Sequence, residues 1–116
     1  MSKAHSNLIA RLEEAAARFD ELTAEMNDPA VASDAGRIVA VATEHASLGR
    51  LVEPYRSYVD LEDRIGQARA IMDDPSAEAE LKELAAAEIE ELSAQAESLM
   101  AEIQGRLVDT MLAAPR

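Results

Sequence analysis

Few side chains in this chain belong to the kinds that do chemistry. There are two histidines, His5 and His45, and no cysteine. Thiolate nucleophiles, disulfides and thiolate zinc sites are therefore excluded together. A carboxylate metal site in a helical bundle places Glu three residues before His on one helix face. Here Glu44 and His45 are adjacent, and no Glu stands three residues before either histidine. Gly36, Gly49, Gly66 and Gly105 are single and scattered, which rules out a phosphate-cradling loop. His45 falls on an apolar stripe, where half-buried packing with a wet polar end outweighs a ligand role. Asp73-Asp74 with Ser76 has the oxygens for a cation, but a turn with a helix cap explains the same residues more simply. Tyr55 and Tyr58 beside Pro54 are better suited to recognition: one ring is expected in the core, and an exposed one can anchor an interface. No catalytic residue, cofactor or metal is expected.

Charge narrows the class of partner. The chain has 116 residues, 11 basic against 23 acidic, and a formal charge of -12. A grip on RNA or DNA phosphates needs clustered Lys and Arg. Only Lys3 and Lys82 are lysines, and the arginines are dispersed. A large phosphate-binding face and DNA binding are thus unexpected. No run of eighteen apolar residues spans a membrane. The N-terminus also lacks a signal-peptide core, so a cytoplasmic location is expected. Half of the net charge lies on residues 76 to 116, a stretch rich in Glu whose outer face is expected to be solvated.

The elements that must position these side chains are helices. Aromatics make up only 3% of the chain, and Ala, Glu and Leu dominate. Leu8, Leu12, Ala15, Phe19, Leu22 and Met26 alternate steps of four and three, the period of an amphipathic helix. With Ser6 as N-cap and Asn27-Asp28-Pro29 as stop, this predicts a helix over about residues 6–27. A short connection, residues 28–34, ends in Ser33-Asp34, either of which can cap the next helix. Val41, His45, Leu48, Val52, Tyr55 and Val59 continue the spacing, and the stripe then shifts to Tyr58, Leu61, Ile65, Ala68 and Met72. One helix over about 35–72 follows, kinked near Pro54 and weakened at Gly49 and Gly66 by about 1 kcal/mol each relative to Ala. Asp74 as N-cap with Pro75 at the first helical position opens a third helix over about 75–113. Its stripe is Leu81, Ala85, Ile89, Leu92, Ala96, Leu99, Ile103 and Leu107. Glu14–Arg18, Asp60–Arg64 and Glu78–Lys82 place acids four residues before bases, each adding a few tenths of a kcal/mol.

The predicted fold is all-α and a single domain: a three-helix bundle extending into an antiparallel two-helix coiled-coil hairpin that turns at Asp73 to Ser76. From these observations alone the chain reads as an acidic helical hairpin that binds something.

The order of the motifs adds a resemblance. Arg18-Phe19-Asp20-Glu21-Leu22 follows an arginine-aromatic-acidic-x-leucine pattern; Asp28-Pro29, Val31 and Ser33-Asp34 come after it. Next stand Glu44-His45-Ala46-Ser47-Leu48, then Val52-Glu53-Pro54-Tyr55-Arg56-Ser57-Tyr58, then Asp73-Asp74-Pro75 and the Glu-rich helix. Leu112-Ala113-Ala114-Pro115-Arg116 closes the series. Together these resemble the N-terminal domain of bacterial class-I peptide chain release factors, the type reading UAA and UAG. His45 stands where that family usually has another aromatic, and Pro54 and Gly66 depart from its second helix.

The resemblance implies translation termination. Its members read a stop codon with a Pro-x-Thr type tripeptide and trigger peptidyl-tRNA hydrolysis with a Gly-Gly-Gln loop. Neither motif occurs here, so the expectation is a ribosome-docking fragment that is not itself an enzyme. The implied partners are the ribosome, at its stalk-base protein and GTPase-associated region, and the GTPase class of release factor. Weak self-association of the isolated domain through the open end of the hairpin is a further expectation. Tyr55, Tyr58, Asp73, Asp74 and Glu78 are the candidate partner-binding residues, with the link from Asp28 to Asp34 beside them. The competing reading is an independent acidic coiled-coil adaptor or chaperone-like hairpin. A Gly-Gly-Gln codon run downstream of Arg116 would separate the two.

Overall fold

A computed structural model describes residues 3–112, with side chains to Asp109. The elements run α1 (Lys3–Met26), α2 (Pro29–Ala32), α3 (Ala35–Asp73) and α4 (Ala79–Leu112). No strand occurs among the described residues. The fold is therefore all-α, with four helices where three were expected. Of the closing motif, residues 113–116 lie outside the described residues.

α1 begins earlier than its expected cap. Ser6 lies inside it, because Lys3 and Ala4 are good helix formers and carry the ladder one turn further back. Leu12 and Leu22 are buried, and Leu8, Ala15, Phe19 and Met26 are half-buried, so the apolar stripe is the packed face. The helix closes through short backbone bonds, Asn27 N to Ala24 O and Asp28 N to Glu25 O, both 3.1 Å. The Asn27 amide also donates to the Thr23 carbonyl at 3.1 Å.

The two Asp-Pro pairs behave differently. Asp28 Oδ1 accepts the Ala30 N–H at 3.0 Å, and Pro29 opens the one-turn α2. The Asp28 carbonyl then takes Val31 N at 3.0 Å and Ala32 N at 2.9 Å, and the Val31 side chain is buried. At the second pair, Asp74 Oδ1 accepts both the Ser76 N–H at 2.9 Å and the Ser76 hydroxyl at 2.7 Å. The Asp74 carbonyl meets Ala77 N at 3.2 Å, which closes a turn. α4 therefore starts at Ala79 and not at Pro75. Its first-turn carbonyl is that of Glu78, bonded to Lys82 N at 3.0 Å.

Asp34, rather than Ser33, caps α3: its Oδ1 accepts Arg37 N at 3.1 Å, and its carbonyl accepts Ile38 N at 2.9 Å. α3 runs as one helix through Pro54, so the proline removes a rung of the ladder without splitting the element. By contact, the chain divides there into two units, Met1–Glu53 and Pro54–Arg116. Within the first, Leu12, Leu22, Val31, Leu51 and Val52 are buried. Within the second, Leu61, Ile65, Leu92 and Ala96 form a cluster, with Tyr58, Ile89 and Leu99 packed against it. This is the expected seam between α3 and α4. Three stripe residues depart from it: Val59 and Met72 are each 39% exposed and Leu81 is 46% exposed. Val59 misses because the stripe has already turned to Tyr58 and Leu61. Met72 and Leu81 keep seam register but flank the turn, where the helices end.

Glycine has opposite meanings in the two units. A Cβ at Gly66 would meet nothing within 4 Å, whereas one at Gly49 would lie 3.3 Å from Phe19 Cε1. Gly66→Ala is expected to raise stability by about 0.5–1 kcal/mol, the helix-propensity difference. Gly49→Ala should gain clearly less, because the Phe19 ring would have to shift. Urea unfolding followed by circular dichroism compares the two; equal gains would mean the contact at Gly49 has no energetic weight.

Candidate partner-docking site

The five candidate residues fall into two separate places. Asp73 follows Tyr58 by fifteen positions along α3, about 22 Å at the rise of a helix. The tyrosines and the turn are therefore not parts of one patch within α3.

Tyr55 is 6% exposed and belongs to the core, which removes it as a surface anchor. It extends the Val52 stripe by three residues, so packing claims its ring. Tyr58 is half-buried against the Leu61–Ile65 cluster. Burial first, and then the negative charge of Glu62, push its phenol above the ordinary tyrosine value, so it stays a neutral donor at physiological pH.

The turn is fully presented. Asp73, Asp74 and Glu78 are all exposed. Hydrogen bonds from the Ser76 hydroxyl and then its backbone N–H hold the Asp74 carboxyl below the usual carboxylate range, and the charge of Lys82 adds to this. Asp74 thus shapes the turn with the oxygen a metal would need. Among the described residues no group of three or more His, Cys, Asp or Glu could hold a metal ion.

Beside this acidic turn stand apolar side chains that the sequence reading placed in the core or passed over. Met72 and Leu81 are partly exposed, and Leu84 is 66% exposed. Leu81 and Leu84 are three apart and share a face of α4. The signal for Leu84 was present in the sequence: a leucine off the 81–85–89 stripe, inside a run of glutamates.

Within the first unit, the two motif stretches meet. Arg18 Nε and Nη2 donate to Glu44 Oε2 and Oε1 at 2.9 and 3.0 Å, a bidentate pair. Arg18 Nη1 also donates to Glu21 at 3.2 Å and lies 3.9 Å from Glu25. The expected Glu14–Arg18 pairing is not what the guanidinium does; α3 offers it a better-matched carboxylate. Phe19 and His45 stack with ring centroids 4.1 Å apart and 19° between planes. Thr23 donates its hydroxyl hydrogen to the Phe19 carbonyl at 3.0 Å. The His45 Nε2 atom lies 2.8 Å from that hydroxyl oxygen, within hydrogen-bond distance. His45 is a packing residue with its Nε2 partnered, and the glycine at 49 makes room for the Phe19 ring on which it stacks.

The electrostatics of this clasp have a sign. The Arg18 hydrogen bonds lower the Glu44 carboxyl from its ordinary value, while Glu44 first and Glu21 next raise Arg18. A depressed carboxyl contributes stability above its unfolded value and loses it as pH falls through the folded value. Wild type should therefore exceed Glu44→Gln in stability at neutral pH, with the gap closing in acid and in high salt. Both partners are about half exposed, so the gap is small. Thermal melts across pH measure it; a gap that widens in acid would contradict the pairing.

Comparison with known proteins bears on all of these places. The family description "PCRF domain" matches residues 15–113, a span that includes the Arg18–Glu44 clasp, both tyrosines and the acidic turn. The chain belongs to the PCRF domain family. This PCRF domain is 37% identical over 98 residues to peptide chain release factor 1 of Thermus thermophilus, covering 84% of this chain and 26% of that protein. It is 38% identical over 94 residues to peptide chain release factor 1 of Geotalea uraniireducens, covering 81% and 25%. With the Bacillus anthracis protein of the same name it shares 29% over 101 residues, covering 87% and 28%. The PCRF domain thus spans about a quarter of the length of these relatives. No solved structure matches it. The resemblance drawn from the ordered motifs is confirmed at the level of the family.

Proposed function

We propose that this PCRF domain serves translation termination as the non-catalytic, ribosome-docking module of a peptide chain release factor. The observation that carries the reading is the match over residues 15–113, joined to relatives that are themselves release factor 1. The chain contains neither a Pro-x-Thr tripeptide nor a Gly-Gly-Gln run, so codon reading and hydrolysis are assigned to parts of a factor that this sequence does not contain. Its partners in this reading are the ribosome, at the stalk-base protein and GTPase-associated region, and the GTPase class of release factor, all in the cytoplasm. Acid-rich composition favours contacts with protein over contacts with rRNA phosphates. The arrangement proposed for docking is a three-helix bundle running into an antiparallel two-helix hairpin. The clasp of α1 on α3 in one unit and the α3–α4 cluster in the other support it. Asp73, Asp74 and Glu78 with Leu81 and Leu84 are the proposed contact residues; Tyr58 is secondary.

The test is competition on ribosomes carrying a stop codon in the decoding site. The purified chain should displace a full-length release factor weakly and release no peptide by itself. Peptide release by the chain alone, or no ribosome binding at concentrations far above those the full factor needs, would overturn the proposal.

A further inference from the structure

We propose that the groove between α3 and α4 in the 54–116 unit is a docking site for an amphipathic helix of a protein partner, with an apolar ridge and Lys or Arg flanks. It stands apart from the acidic turn and does not depend on the ribosome reading. A pair of helices has a single seam. Leu61, Ile65, Leu92 and Ala96 fill it, and Tyr58, Ile89 and Leu99 stay only partly covered. On one face the helices part into a groove of about 890 Å³. Leu61 and Leu99 provide an apolar floor, and Ser57, Ala94 and Ser98 provide small walls.

The shape suits a helix in particular. Ala94 and Ser98 stand four apart on α4, the spacing of the grooves that receive the i, i+4 ridge of a packing helix. Small residues there let the helix axes approach to about 8 Å, the near end of the usual range. Binding an amphipathic helix in such a groove uses apolar anchors at helical spacing and polar contacts along its edges.

Charge selects the flanks. Asp60 and Arg56 stand together at the rim, and Glu102 there is held by Arg106 at 2.9 Å, so the selecting charge is that of the whole unit. The unit as a whole has 14 acidic against 6 basic residues. This field attracts lysine and arginine and repels phosphate, so an RNA strand or an anionic membrane is disfavoured at the same place. A second copy of this chain would bring a like-charged body to the groove.

The test uses the intact chain and two synthetic peptides of about eighteen residues. Each has Leu at helical anchor spacing, and they differ only in carrying Lys or Glu at the flanks. Fluorescence anisotropy should show the Lys peptide binding and the Glu peptide binding at least tenfold more weakly. Ser98→Trp and Ala94→Leu fill the groove at exposed positions without changing charge, and each should weaken the Lys peptide at least tenfold. Val39→Ser, at an exposed position outside the groove, should leave it unchanged. Circular dichroism checks that every variant is folded. Equal binding to Ser98→Trp would show attraction by net charge alone and overturn the proposal. So would a dimer, seen by sedimentation, that Ser98→Trp abolishes, since it would assign the groove to a second copy.

Discussion

Replacing Leu22 with alanine is expected to lower the unfolding free energy of this PCRF domain by about 3 kcal/mol. Leu22 is 0% exposed, so the substitution removes apolar atoms that have no contact with water and leaves a cavity. Large-to-small changes at such sites cost roughly 2–5 kcal/mol, and a leucine held on a helix face has little freedom to collapse into the gap. Total stability for a domain of this size is on the order of 5–15 kcal/mol, so one methyl-rich side chain carries a sizeable fraction of it. The internal control is Leu84→Ala. That leucine is 66% exposed and should change stability by no more than about 0.5 kcal/mol. Urea titrations of both variants decide the matter. Similar losses at the two positions would mean that the packing described for the first unit does not exist in solution.

A second large effect is expected in the other unit. Ile65→Asp puts a carboxylate into the cluster of Leu61, Leu92 and Ala96, where Ile65 is buried. At neutral pH the cost should be about 4 kcal/mol or more, because an unpaired charge is removed from water. The new carboxyl escapes by taking up a proton, so its pKa is raised in the folded state. Such a group is least damaging below its unfolded value, and its cost grows as pH rises through the folded value. The stability gap between wild type and Ile65→Asp should therefore narrow as pH falls from 7 towards the unfolded carboxyl value of about 3.9. Ile65→Asn, which cannot ionise, should show no such narrowing. Parallel denaturation curves of the three proteins across that range test it. A gap that is independent of pH would place residue 65 in contact with water and contradict the α3–α4 seam.

These two sites also show what a one-dimensional pattern conveys. Leu22 and Ile65 lie on stripes that repeat at three and four residues, and both are buried. Periodicity predicts burial well in helix interiors because it is a local consequence of 3.6 residues per turn. It fails at element ends. Met72 and Leu81 hold seam register, yet the helices end beside them and both side chains stay exposed. Leu84 lies off the stripe and needed no such failure; its exposure follows from its angle.

Local rules also gave two answers to one dipeptide. Asp28-Pro29 and Asp74-Pro75 each carry an aspartate whose carboxylate accepts the N–H two residues on. The first opens a helical turn with the Val31 side chain buried. The second has Ser76, whose hydroxyl joins the same carboxylate and closes a turn instead. The burial of one downstream side chain and the hydroxyl of another distinguish them.

The site divides along the same line. Exposure of Asp73, Asp74 and Glu78 was legible, since charged residues around a proline have little reason to be buried. Burial of Tyr55 in preference to Tyr58 was not, because both sit within reach of the stripe where it changes phase.

The sequence by itself determined that this chain is helical, acidic and without cysteine, and its ordered motifs indicated the family. Each of those rests on residue type, local spacing or order along the chain. Tertiary structure alone decided that Arg18 bonds Glu44 across 26 residues and not its i−4 neighbour. It also decided that Gly49 is a contact point for Phe19 and not merely a weak helix former. The physical reason is that a side chain's strongest partner is the one best placed in space, and distance along the chain carries no information about that once helices pack.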